Sequence, residues 1–234
     1  MFKLLSTANP KIQKGTARGY LSFILHLAPS TLSGHNVCPK ASPGCIASCL
    51  NTAGRGGMFK RGENTNVIQR ARIRKTELFY NDRTAFFNYL TQDIQKATAM
   101  AKRLGLKPVF RLNGTSDLSW EKYEVNGTGL NIFQIFPELQ FYDYTKVLGR
   151  KVFHLSNYHL TFSRAENNAA DIPKAVAQGM NVAVVYDKIP EGVYSADEDD
   201  LRFLDPKVGI IGLKAKGRAK KDYSGFVIHL KEAA

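Results

Sequence analysis

The sequence predicts an α/β protein built as a partial or full (βα) barrel. Three observations carry this expectation. Strand-like and helix-like segments alternate along most of the chain. The strand candidates are near-continuous apolar runs, the pattern of a parallel sheet covered on both faces. Polar side chains gather where those runs end, at Asn113 to Asp117, at Asp143 to Lys146 and at Asp187. The carboxyl edge of such a sheet is where α/β proteins bind ligands.

The elements follow in order within a single α/β domain over residues 1–234, with residues 1–19 read as an N-terminal extension. YLSFILHLAP, Tyr20 to Pro29, is the first strand, rich in leucine, isoleucine and aromatic residues and closed by proline. Residues 38–57 form a cysteine- and glycine-rich loop containing Pro39, Pro43 and Gly44. A helix begins near Asn66 in NVIQRARIRKTELFY. A second runs through TAFFNYLTQDIQKATAMAKRLG, with Thr84 as its cap, a basic last turn and Gly105 as its stop. LKPVFRLNG is a strand ending in polar residues. NIFQIFPELQFYDYT gives a short helix and then a strand carrying Phe141 to Tyr144. KVFHLSNY reads as a further strand with His154 inside its apolar pattern, and AADIPKAVAQG as a helix closed by Gly179. MNVAVVYD, VGIIGLKAKG and SGFVIHL supply the remaining strands.

Composition narrows the class. Of 234 residues, 44% are apolar and 11% aromatic, enough for a substantial core. No run approaches the roughly 20 apolar residues of a membrane helix. The opening MFKLLSTANPKIQKG lacks the pattern of a signal peptide. Three cysteines cannot all pair, which argues against a disulfide scaffold and for a reducing compartment. The formal net charge of +13 raises the local concentration of polyanions. It admits nucleic acid, a nucleotide or an anionic cofactor as partner, although no recognition module is visible. Two basic runs stand out. One holds Arg55, Lys60, Arg61, Arg70, Arg72, Arg74 and Lys75 against Glu63 alone; the other is KAKGRAKK, Lys214 to Lys221. Neither fits the GxxxxGK[ST] phosphate loop. DEDD, Asp197 to Asp200, reads as a solvated acidic loop.

All three cysteines fall in CPKASPGCIASCLNTAGRGG, as Cys38, Cys45 and Cys49 in a C-x6-C-x3-C spacing. Thiolates suit zinc and iron–sulfur clusters. A structural zinc site wants four ligands, so His35 or His26 would have to complete it. A four-iron cluster on three cysteines leaves one iron open to a substrate or cofactor. Gly54, Gly56 and Gly57 would let the backbone approach a bulky group, and Arg55 would offset cluster charge or hold an anionic ligand. The alternative is that CIASC is a buried turn whose thiols act as small apolar groups.

Further candidates sit at strand ends. In RLNGTSDLSWE, Arg111 and Asn113 alternate and so share a face. Asn113, Ser116 and Asp117 are placed to hydrogen-bond a polar cofactor. Alternatively the segment is an Asn-Gly turn followed by a cap. Asp143 and Lys146 could orient a substrate, transfer protons or simply pair. His159 and Arg164 are contact candidates, whereas His154 reads as a core residue. No nucleophile–base–orienter set is recognisable.

HLAPSTLSGHNVCPKASPGCIASCLNTAGRG, RLNGTSDLSWE and IIGLKAKGRAKKDYSGFV together resemble the bacteriophage gene product 88-like family over nearly the whole chain. That resemblance implies a phage or prophage origin and the cytoplasm of an infected bacterial host. A first strand followed by a three-cysteine loop also resembles the architecture of radical S-adenosylmethionine enzymes, which are full or partial α/β barrels. It implies a 4Fe-4S cluster on Cys38, Cys45 and Cys49, with S-adenosylmethionine on the fourth iron. The family's usual spacing is C-x3-C-x2-C, from which this chain departs. The expected function is a phage iron–sulfur enzyme whose open iron engages a small-molecule cofactor. The competing expectation is an accessory protein whose metal-stapled basic surface binds nucleic acid or a host protein.

Overall fold

A computed structural model describes residues 3–7 and 14–230. Its centre is one sheet of nine strands: β1 (Leu5–Ser6), β2 (Tyr20–Leu25), β3 (Lys107–Arg111), β4 (Gln140–Thr145), β5 (Tyr158–Ser163), β6 (Val182–Tyr186), β7 (Tyr194–Ser195), β8 (Ile210–Lys214) and β9 (Val227–Ile228). The order is β1-β2-β3-β4-β5-β6-β8-β7, with β9 also on β6. From β2 to β8 every neighbouring pair is parallel. From β2 to β6 each crossover therefore steps one place in the same direction, as right-handed βαβ connections do, whereas β7 lies outside β8 and β9 returns to β6.

The sheet is open and does not close into a barrel. Within the N-terminal extension, β1 pairs antiparallel with β2, Leu5 opposite Leu25, and so occupies the edge that closure would need. At the other end β7 is a two-residue strand on β8. β9 fills a gap between these ends. β5 pairs with only Val182 and Ala183 of β6, and beyond them Val227 and Ile228 take up the same edge opposite Val185 and Tyr186.

The helices that accompany the sheet include α1 (Pro43–Ala47), α2 (Val67–Asn81), α3 (Arg83–Arg103), α4 (Ile132–Ile135) and α5 (Ile172–Ala177). α3 presents Phe86, Phe87, Leu90, Ile94, Ala97 and Ala101 on one stripe, the 3.6-residue period of a core-facing helix. Its N-terminus is capped by Asp82, whose carboxylate accepts from Ala85 N at 2.9 Å, and not by Thr84. Asp82 lies immediately outside the first turn, where an acceptor reaches the free N–H groups. α2 starts as expected, with Asn66 accepting from Gln69 N at 3.0 Å. An aromatic row crosses the strands through Phe23, Phe110 and Phe141, and Trp120 lies buried among Phe79, Phe86 and Phe87. Each such ring contributes about 1.5–3 kcal/mol by leaving water. No helix among the described residues is long and apolar enough to cross a membrane.

Two further sequence expectations fail for physical reasons. KVFHLSNY is not a strand; residues 151–157 are turns, and β5 starts at Tyr158. Val152 and Leu155 are buried while Phe153 and His154 between them are exposed, a three-residue spacing and not an alternation. His154 is thus a surface residue. DEDD is not a solvated loop either. Asp199 and Asp200 are buried, because arginines need them: Arg18 meets Asp199 at 2.8 Å, Arg111 meets Asp200 at 3.0 Å, and the buried Arg202 lies 3.3 Å from Asp199 and 3.0 Å from Asp205. A buried guanidinium demands such partners.

Candidate functional site

The cysteine segment is more ordered than a loop. After β2 the chain reaches Cys38, then folds into α1 and two tight 3-10 turns, Leu50–Thr52 and Gly54–Gly57. Ser42 caps α1 by accepting from Cys45 N at 3.2 Å, and Pro43 occupies the first turn, where a missing N–H costs nothing. Glu166, from the loop after β5, holds this cap from outside. It accepts from the Ser42 hydroxyl at 2.6 Å and from Gly44 N at 2.7 Å. Gly44 is required there, since a Cβ would fall 2.2 Å from Ser224 Oγ and 2.9 Å from Glu166 Oε1. Ser48 donates to Asp222 at 3.3 Å.

The glycines serve the segment's own folding. A Cβ on Gly57 would lie 2.0 Å from the Thr52 carbonyl oxygen, so the two 3-10 turns can pack only without it. Asn66 donates to the carbonyls of Gly56 and Met58, each at 2.9 Å, and thus ties the turn to the start of α2. Arg72, on α2, reaches the Asn51 side chain. Arg55 is exposed on the turn.

All three thiols are free and half-buried. Cys38 Sγ accepts from Ser30 N at 3.3 Å and faces the Thr115 carbonyl at 3.7 Å. Burial pushes its pKa up to about 12, with Cys49, Cys45 and Asp117 adding negative charge nearby. Burial also raises the Cys49 thiol; Cys45 adds to this, while the Asn51 N–H, Arg72 and Lys146 oppose it. These mutual effects place the thiols, Asp117, Arg72 and Lys146 in one neighbourhood. Among the described residues, however, no three His, Cys, Asp or Glu side chains converge closely enough to hold a metal ion. His35 stacks on Tyr80 with ring centroids 4.0 Å apart, and His26 is held neutral by burial with a pKa of about 3. Three uncrosslinked thiols are a donor set that suits a thiophilic metal or cluster. Their spacing is not a closed cage.

The segment after β3 is the scaffold beside them. Asn113 is buried and fully used. Its Nδ2 donates to Leu118 O and Asp143 Oδ2; its Oδ1 accepts from Ser116, Leu118 N and Trp120 Nε1. Asn113 and Ser116, expected to bind a cofactor, therefore organise the loop. Nor do Arg111 and Asn113 share a face. Arg111 turns to Asp200 and Tyr144, whereas Asn113 turns to Asp143, because the strand ends at Arg111. Asp117 remains at the site. Its N–H donates to Val37 O at 2.8 Å, one residue before Cys38, and its Oδ2 accepts from Lys146 N at 2.7 Å. Its buried Oδ1 has no hydrogen-bond partner and lies 3.9 Å from Arg150.

Asp143 and Lys146 separate. Asp143 is fully buried and accepts from Asn113 N at 2.7 Å and Tyr158 Oη at 2.9 Å. Burial lifts its pKa to about 7 against these bonds. Lys146 Nζ instead donates to Ser163 at 3.0 Å. His159, on β5, is half-buried and its pKa is lowered by burial. Arg164 binds the carbonyls of Gly225 and Phe226. Glu166 and Asp222, the two acids that seat the cysteine segment, carry no motif. The only signal is that each follows a late strand at its carboxyl end.

A cleft of about 450 Å³ opens between the cysteine segment and the loops after β4 and β5, lined by Lys40, Ala41, Lys146, Leu148, Asn168 and Asp171 among others. A family model described as Gene product 88 matches residues 3–230, and the chain belongs to that bacteriophage protein family. No curated protein and no solved structure matches it significantly.

Proposed function

We propose that this member of the gene product 88 family is an iron–sulfur enzyme in which Cys38, Cys45 and Cys49 hold a 4Fe-4S cluster and the adjoining cleft receives a small-molecule cofactor such as S-adenosylmethionine. The observation that carries the reading is that all three free thiols lie on the one segment that follows β2 at the carboxyl edge of the parallel sheet, and that Pro39 to Ala41 of the same segment line that cleft. The cluster would supply electron transfer and one open coordination position. The chain's own residues supply the setting. Arg72 and Lys146 offset thiolate charge at Cys49. Asp117, whose Oδ1 lies 3.9 Å from Arg150, adds a buried carboxylate near Cys38. In the cleft, Lys40 and Lys146 suit a carboxylate and Asp171 suits an ammonium group.

Anaerobic reconstitution with iron and sulfide tests this. Four irons and four sulfides per chain are expected, with an electron paramagnetic signal that changes on adding S-adenosylmethionine and is lost in C38S, C45S and C49S. One zinc per chain without sulfide, after reconstitution has been attempted, overturns the cluster. An assembled cluster that neither binds nor cleaves S-adenosylmethionine overturns the choice of cofactor.

A further inference from the structure

The two basic runs, far apart in sequence, meet in space beside the cysteine segment. The 3-10 turn Gly217–Lys221 packs on the Leu50–Thr52 turn, so that a Cβ on Gly217 would lie 3.2 Å from Ala53 Cβ. Asp222 fixes the join, accepting from Ser48 and from Val227 N. On one side of this contact are Arg55, Lys60 and Arg61; on the other are Lys214, Arg218, Lys220 and Lys221, all exposed. The acids within the two runs and next to them are already committed. Glu63 lies 3.9 Å from Arg70, Asp197 takes Lys216 at 2.8 Å, and Asp222 is buried. Apolar side chains stand exposed among the cations: Met58 at 69%, Leu50 at 51% and Tyr223 at 88% exposure. The Tyr223 ring stacks on His229, centroids 5.3 Å apart at 11°, which leaves its other face to solvent.

We propose that this surface binds single-stranded nucleic acid, with phosphates along the two basic turns and a base stacked on Tyr223. Charge complementarity favours a polyanion. The free aromatic face selects unpaired bases, because a base inside a duplex has no face to offer. Of the seven exposed cations on the two sides of this contact, none lies on an α-helix that could enter a major groove. This inference does not rest on the cluster.

Fluorescence anisotropy with a fluorescein-labelled 20-nucleotide oligothymidylate, and with a 20-base-pair duplex, tests it between 50 and 300 mM KCl. The R218E/K220E/K221E variant should bind the single strand at least tenfold more weakly at 100 mM KCl, with a shallower salt slope. Y223A should weaken binding about five- to hundredfold and leave the slope unchanged. K102E/R103E/K107E, at the amino edge of the sheet, should stay within twofold of the parent. Thermal melting confirms that each variant is folded. Equal weakening by the patch and control triples, an unaffected Y223A, or duplex binding as tight as single-strand binding overturns the proposal.

Discussion

The carboxylate of Glu166 receives the backbone N–H of Gly44 at 2.7 Å, across 122 positions of sequence. One side chain thereby fastens α1, which carries Cys45, to the loop after β5. E166A should cost about 1–3 kcal/mol, the range for leaving a backbone donor and a hydroxyl without their charged acceptor. Amide exchange at Gly44 should quicken. The acid limb carries the same signature. Burial raises the Glu166 pKa, but Ser42 and the N–H groups of Glu166 and Gly44 outweigh it, so the net shift is downward. Its contribution is present above the unfolded carboxylate value of about 4.3 and is lost as pH falls through the lowered folded value. E166Q should therefore show a weaker acid dependence than the parent below pH ~4.3. Identical urea midpoints across pH 3–5 for parent and E166Q would count against the clamp.

His26 sets a second, separate pH dependence. Burial, with Arg72, Arg111 and Lys75 nearby, lowers its pKa to about 3. The unfolded chain takes up a proton near pH ~6.5 that the folded protein refuses. Stability should be full above pH ~6.5 and decline steadily towards pH 3. H26N should flatten the urea midpoint over pH 4–6.5. A parent midpoint already flat across that range would refute the assignment.

Cys38 should behave as a sluggish nucleophile, because its thiol is pushed up to about 12 and the thiolate is the reactive form. Iodoacetamide at pH 8 should modify Cys38 far more slowly than a free cysteine. Thiophilic metal uptake must displace these protons, so Cd²⁺ affinity should rise steeply between pH 6.5 and 8 with measurable proton release. C38S and C49S should each weaken it by tenfold or more. Uptake that ignores pH would mean that thiolates are not the ligands.

Asn113 is the hub of the strand-end scaffold, and N113A removes the partner of three donors and two acceptors. A loss of about 2–4 kcal/mol is expected, since several of these groups are buried. Because Trp120 loses its indole partner, its fluorescence should shift with the melting temperature. An unshifted melting temperature would show that the network is dispensable.

The alternation of elements was legible because its signals are local. YLSFIL, KPVFR and VAVVY are apolar runs of strand length, and the stripe on α3 repeats within one segment. The carboxyl edge as the cysteines' location followed from the same order. What stayed hidden depends on partners distant in sequence. Nothing in DEDD announces that Arg18, Arg111 and Arg202 will need Asp199 and Asp200. Openness of the sheet turns on β1, a two-residue strand with no periodicity to read. Asn113 was legible as a polar residue at a strand end. Its neighbours are what decide that it serves the loop, and Trp120 lies seven residues further on. Glu166 and Asp222 were invisible because a single acid carries no spacing.

The packing of Gly44 against Ser224 and Phe226 has a consequence for biosynthesis. The seat of the cysteine segment is made of residues translated about 180 positions later. At roughly 5–20 residues per second, α1 and its Cys45 wait on the order of 10–40 s without the floor on which they pack. During that interval the Cys45 thiol is open to stray oxidants and to whichever metal arrives first. A chain released before Ser224 would carry all three thiols but lack the late residues that seat α1 and its Cys45.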